Sequence, residues 1–251
     1  MIDIVCVCVG KAYQPELYVE QLRLGVAKHL TIPYRINVIT DDPGLPYYGA
    51  NNIRAIQAQD WIEANQPRKY WWYKMQMFNR ECGFTGTVLY FDLDVIITGA
   101  VDKFVDYHAD KFAICQDFNR KWILDYTVSN SSIMRFHAPT YHEIYDAFVQ
   151  DRTANMRSNQ GDQDYITKYF AGRDDKIWWP QTWAQSFKWE VHRGGLIESG
   201  TGLGPDGSWP ADASKYHVPD QPWVVSNDCS VVVFHGKPKP WDTEFGKQYQ
   251  L

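Results

Sequence analysis

Several features are missing from this 251-residue sequence, and their absence narrows the classes of function open to it. The five cysteines, at 6, 8, 82, 115 and 229, contain no C-x-x-C pair, which argues against zinc ribbons and thioredoxin-type redox sites. Their number is odd, and Cys6 and Cys8 lie inside an apolar run, where cysteine reads as a small core residue. A reducing cytoplasm is therefore the expected compartment. No run of about 18 apolar residues is present to span a bilayer, and no signal peptide is read ahead of the first strand. No run of Lys or Arg stands out either, and the net charge is −5, so the basic excess of a nonspecific nucleic-acid surface is lacking. Repeats, low-complexity tracts and clean linkers are absent too, which suits one large domain.

Aromatic side chains are abundant instead. Eleven Trp and sixteen Tyr exceed what a core of this size usually draws on. Packing accounts for most of them, and an exposed group would offer a stacking face to a sugar or a base. Trp178, Trp179, Trp183 and Trp189 lie close in sequence, so one of them is a candidate for lining an acceptor groove, with core packing the competing role for each.

Periodicity organises the chain. Residues 2–9 are apolar and rich in β-branched side chains, the pattern of a buried strand ending at Gly10. Leu17, Leu22, Val26 and Leu30 repeat at helical spacing over 16–30, a second strand covers 35–39, and Thr40–Gly44 reads as a turn. Strand, helix, strand opens a parallel α/β unit. A loop is expected over 43–54, a helix over 69–80, one strand over 87–97, further strands at 111–115, 130–136 and 230–234, and helices at 139–150 and 161–170. Residues 194–210 hold six Gly and two Pro and read as a loop or lid. The order favours an α/β fold with a mostly parallel sheet flanked by helices.

The most informative stretch is Val88-Leu89-Tyr90-Phe91-Asp92-Leu93-Asp94-Val95-Ile96-Ile97. On an extended chain Asp92 and Asp94 point to one face, roughly 6 to 7 Å apart. Two like charges in apolar surroundings cost several kcal/mol unless a cation compensates them, and a divalent metal does so economically. The competing reading is an exposed strand end where the two carboxylates merely solvate a turn. Oxygen ligands suit Mg²⁺ or Mn²⁺, and an added imidazole tilts the choice to Mn²⁺. A second apolar strand ends at His235-Gly236-Lys237-Pro238-Lys239-Pro240-Trp241, which offers an imidazole and two ammonium groups in five residues.

These segments together resemble the retaining glycosyltransferases of family 8, the group of glycogenin and the bacterial lipopolysaccharide galactosyltransferases. The resemblance runs from residue 1 to about 241 and implies a GT-A fold: one domain over 1–251, with a nucleotide-binding half at 1–100 and an acceptor-side half at 101–251. YFDLDVIITG resembles the metal-binding strand, implying Asp92 and Asp94 as ligands with Leu93 beside the donor. Asn130-Ser131-Ser132 resembles the segment whose Asn faces the donor sugar. Gly161-Asp162-Gln163-Asp164 resembles the D-Q-D helix start, implying Asp162 and Gln163 near the reacting carbon. HGKPKPW resembles the closing motif, implying His235 on the metal and Lys239 on the diphosphate. That motif is two residues shorter here, so Lys237 rivals Lys239, and Lys74 stands where the family usually has Arg, losing its bidentate reach. WPQTWAQSFKWE, residues 179–190, has no counterpart in the enzymes named.

The implied activity is metal-dependent transfer of a sugar from a nucleotide diphosphate, UDP favoured, with retention of configuration. Val9, Tyr13, Thr40 and Asp41 are expected around the base, with Tyr13 stacking on it. The acceptor is open: a glycan, a lipid-linked sugar, a protein or a modified DNA base. Two rival readings are a phosphohydrolase of the haloacid dehalogenase type, which also uses a strand ending in D-x-D, and a non-catalytic carbohydrate-binding protein, supported by the Trp content alone.

Overall fold

A computed structural model describes residues 1–45, 52–65, 69–121, 126–191 and 223–251. The loop or lid expected over 194–210 lies outside them. Strand β1 (Ile2–Cys8), helix α1 (Pro15–His29) and strand β2 (Tyr34–Thr40) form the parallel unit that the periodicity announced. Pro15 opens α1 with its φ already helical, and Lys28 and His29 sit in the last turn, where the helix dipole favours positive charge. β3 (Ile53–Gln57) then replaces the last part of the loop expected over 43–54. It is an edge strand with only Ile53 buried, so it carries no apolar alternation to read.

After α2 (Ile62–Asn65), residues Tyr70–Phe78 form the expected helix, but as a nine-residue 3₁₀ segment. In 3₁₀ geometry residues three apart eclipse, so Trp71 and Lys74 stand in one column. The single strand expected over 87–97 is two: β4 (Thr87–Phe91) and β5 (Val95–Ile97), with a turn at Leu93–Asp94 between them. The remaining elements are α3 (Asp102–Asp106), β6 (Phe112–Gln116), β7 (Ser129–His137), α4 (Ala138–Gln150), α5 (Arg152–Ser158), α6 (Asp162–Tyr169), β8 (Lys176–Trp178), β9 (Ala184–Ser186), β10 (Val231–Val233) and α7 (Glu244–Gln248).

The main sheet has seven strands in the order β3-β2-β1-β4-β7-β6-β8, drawn from both halves of the chain. All its pairings are parallel except the two made by β7. A smaller sheet, β5-β10-β9, takes over where β4 ends. One core packs α1, α3 and Trp179 on one side of the main sheet, and the other packs α4 and the 3₁₀ segment. Four of the eleven Trp are buried there, Trp61, Trp72, Trp179 and Trp189, and Trp72 stacks on Phe148 with ring centroids 5.5 Å apart. Among the described residues no helix is long and apolar enough to cross a membrane.

Candidate functional site

The strand order of the main sheet switches at β1, with β2 and β3 laid to one side of it and β4 to the other, and ligands of open α/β sheets bind at such a point, outside the carboxyl ends of the strands. A cavity of about 580 Å³ lies there. Val7, Val9 and Tyr13 enter it from the end of β1, Asp92, Leu93 and Asp94 from the end of β4, Asn130, Ser131 and Ser132 from β7, Asp162 and Gln163 from the start of α6, and His235, Gly236 and Lys239 from beyond β10. Five segments far apart in sequence thus meet in one hollow.

The two aspartates are not side by side on one strand. The Asp92 N–H donates to the Ser132 carbonyl at 2.9 Å, which holds it to β7. The Asp94 carbonyl accepts from the Phe234 N–H at 2.9 Å, which holds it to the end of β10. The D-x-D is where the chain steps from the large sheet to the small one. Nor are its surroundings wholly apolar. The Asp92 carboxylate receives the Lys74 ammonium at 2.9 Å and the Tyr90 hydroxyl at 2.6 Å. Asp94 receives Lys239 Nζ at 2.7 Å and the Tyr13 hydroxyl at 2.9 Å. Burial and the charge of Asp92 push the Asp94 carboxyl up, and Lys239 and Tyr13 only partly offset this.

Lys74 is the hub of the floor. It reaches Ser131 Oγ at 3.0 Å as well as Asp92, and stands 3.7 Å from Asp162. Burial opposes its charge, but the Asp162 and Asp92 carboxylates outweigh that and push it up. Asp162 is itself pushed up by burial, against the pull of Lys74 and of a 2.5 Å hydrogen bond from Ser131. Gly161 is the N-cap of α6, and Asp164, three residues on, reaches back so that its carboxylate accepts the Gly161 N–H at 3.1 Å. Capping therefore leaves Asp162 and Gln163 to the cavity, and among the described residues the Gln163 amide side chain has no hydrogen-bond partner.

His235 stacks on Phe118 with centroids 5.7 Å apart and shares a 2.7 Å hydrogen bond between Nε2 and Ser186 Oγ. Burial, then Lys188 and Lys239, push it down to about 3, so the ring is neutral and keeps a lone pair. Two carboxylates and a neutral imidazole suit Mn²⁺ or Mg²⁺ as a donor set. The three line the same cavity, but among the described residues no three His, Cys, Asp or Glu side chains close on one point.

Thr40, Asp41 and Lys237 do not line the cavity. Asp41 accepts the Gly10 N–H at 3.1 Å and so shapes the turn after β1 from behind. Tyr13 lines the cavity, with its hydroxyl on Asp94 and Lys239 Nζ 4.7 Å from its ring centre. None of Trp178, Trp179, Trp183 and Trp189 lines it; the indole that does is Trp71. Sequence reasoning passed over Tyr70, Trp71 and Tyr90. Tyr90 was within reach, because it shares a strand face with Asp92 by alternation.

No protein-family model matches the chain, and no curated protein matches it. Solved structures do. It is similar to the galactosyltransferase LgtC in complex with donor and acceptor sugar analogues, with TM-score 0.59 and 12% identity over 98% of this chain and 93% of that one. An active-site mutant of LgtC gives 0.60 and 13% over the same shares. The glycosyltransferase GlyE of Streptococcus pneumoniae TIGR4 gives 0.62 and 13% over 100% of this chain and 61% of GlyE, so the chain spans under two thirds of that protein. A likeness at this identity concerns architecture, and the architecture is the GT-A fold of these glycosyltransferases.

Proposed function

We propose that the chain is a glycosyltransferase that takes a sugar from a nucleotide diphosphate, UDP-sugar by preference, with Mn²⁺ or Mg²⁺ as cofactor. The observation that carries this reading is the meeting of Asp92, Asp94, Asp162, Gln163, His235 and Lys239 around one cavity at the carboxyl ends of β1 and β4. Asp92, Asp94 and His235 would hold the metal, which when bound supplies a Lewis acid for the diphosphate oxygens.

The reaction breaks the bond between the anomeric carbon and the diphosphate, and negative charge grows on the leaving oxygen. Lys239 has the reach to follow it: its ammonium rests on Asp94 and Tyr13 and needs only a stronger anion to move to. Positive charge grows on the sugar ring. Gln163 offers an amide carbonyl to that side, and Asp162, fixed by Ser131 and Lys74, orients hydroxyls. The buried Asn130 carries its side chain to the same wall, its Oδ1 held by the Ser132 N–H at 3.1 Å. Retention of the donor's anomeric configuration is part of the proposal. The test is thermal unfolding of the protein with a panel of nucleotide sugars, with and without Mn²⁺. A ligand at about 100 times its dissociation constant adds roughly 2.7 kcal/mol. A stabilising nucleotide sugar that requires the metal supports the reading, and a panel without effect refutes it.

A further inference from the structure

The segment WPQTWAQSFKWE, unplaced by resemblance, wraps the closing motif. Its β9 residues pair with β10, Ser186 holds His235, and the Trp189 ring lies 5.9 Å from the imidazole. Lys188 sits between those two contacts, on the π-helical turn Phe187–Val191 that follows β9. Its ammonium stands 3.3 Å from the point where a Cβ on Gly236 would lie. Gly236 lines the cavity and has φ near +77°, a conformation that suits glycine and leaves that approach open.

Lys188 stands behind Gly236 and does not itself line the cavity, and it differs from the two lysines that do. Lys74 is taken by Asp92 and Asp162, and Lys239 by Asp94. Among the described residues, Lys188 Nζ makes no hydrogen bond and no ion pair, although the side chain is half-buried. Burial and the positive charge of Lys239 push it down, and Asp94 pulls the other way, so all three charges feel one another. A partly desolvated ammonium without an acceptor among its neighbours is a cost to the fold, and such groups mark places where a ligand supplies the missing charge. The ligand that fits is an anion with several acceptor oxygens, arriving at Gly236 between Lys188 and Lys239.

We propose that Lys188 is a second ammonium for the donor's diphosphate, reaching it past Gly236 while Lys239 reaches it from the Asp94 side. The inference rests on the nucleotide-donor reading and adds a residue that the resemblance does not supply. It also gives the site a point charge in compensation for Lys74, which lacks the fork of an arginine.

The experiment is calorimetric titration of the full chain, in Mn²⁺, with the nucleoside diphosphates of the common bases and with inorganic pyrophosphate. K188M is expected to weaken both by about 10- to 100-fold, the worth of a charge-assisted hydrogen bond, and K188R to restore most of it. Ligand-free K188M is expected to unfold at or above the wild-type temperature, since it loses a half-buried charge that has no partner among the described residues; if it fails to fold, K188Q takes its place. Diphosphate affinity within about twofold of wild type in the neutral variant overturns the assignment and leaves the donor reading standing. Wild type that binds pyrophosphate in a Lys188-dependent way but no nucleoside diphosphate overturns the donor reading and keeps the anion site. Wild type that binds neither overturns both.

Discussion

Replacing Lys74 by Met tests whether the floor of the cavity is built on charge. The ammonium lies 2.9 Å from the Asp92 carboxylate and 3.7 Å from that of Asp162, and its side chain is only 12% exposed. K74M leaves two carboxylates facing each other without their shared cation, one of them, Asp162, 5% exposed at the side chain. Removing one member of a buried ion pair costs about 3 to 5 kcal/mol. For a domain of this size each kcal/mol moves the melting temperature by about 2 to 4 °C, so a drop of roughly 6 to 20 °C is expected. The sign with pH follows from Asp162, which burial already holds above its unfolded value. An acid raised on folding takes up protons on folding between its unfolded and folded values, so its burden on stability is full above the folded value and vanishes below the unfolded one. Loss of Lys74 raises Asp162 further. The gap between wild type and K74M is therefore expected to narrow as pH falls from about 7.5 to about 4.5. The assay is denaturant unfolding at both pH values, with chelator present. A gap under about 1 kcal/mol at the higher pH, or one that does not change with pH, refutes the reasoning.

Three further outcomes are expected. Asp94→Asn abolishes Mn²⁺-dependent nucleotide-sugar binding while circular dichroism stays native; undiminished binding would remove Asp94 from the metal. Lys239→Ala lowers turnover by about 10² to 10³ and Lys237→Ala by less, because only Lys239 lines the cavity; a steady-state comparison with the larger loss at Lys237 reverses the assignment. Gln163→Ala changes stability by no more than about 0.5 kcal/mol, since its amide has no partner among the described residues, and lowers turnover with little change in donor affinity. Equal losses in affinity and turnover would make Gln163 a ground-state contact.

Local features are legible in the amino-acid order alone. β1, α1 and β2 follow from side-chain period and from Pro15, and the D-x-D was visible as charge at the end of an apolar run. The D-Q-D and HGKPK segments were legible as polar clusters bordering predicted elements. Tertiary structure decided everything that depends on a partner far along the chain. That Asp94 meets Tyr13 and Lys239, 81 and 145 positions away, sets which lysine enters the cavity. The break after Phe91 arises because Asp94 takes its backbone bond from the end of β10 and not from β7, to which Asp92 is held. That Asp164 holds the Gly161 N–H at the start of α6 while Ser131 and Lys74 engage Asp162 depends on β7 and the 3₁₀ segment, which lie far off in sequence. The Trp cluster at 178–189 packed away from the cavity while Trp71 entered it, because burial is fixed by which elements lie above a residue and not by its neighbours in sequence. Periodicity reports the face a side chain takes on its own element; only the packing of elements says what that face meets.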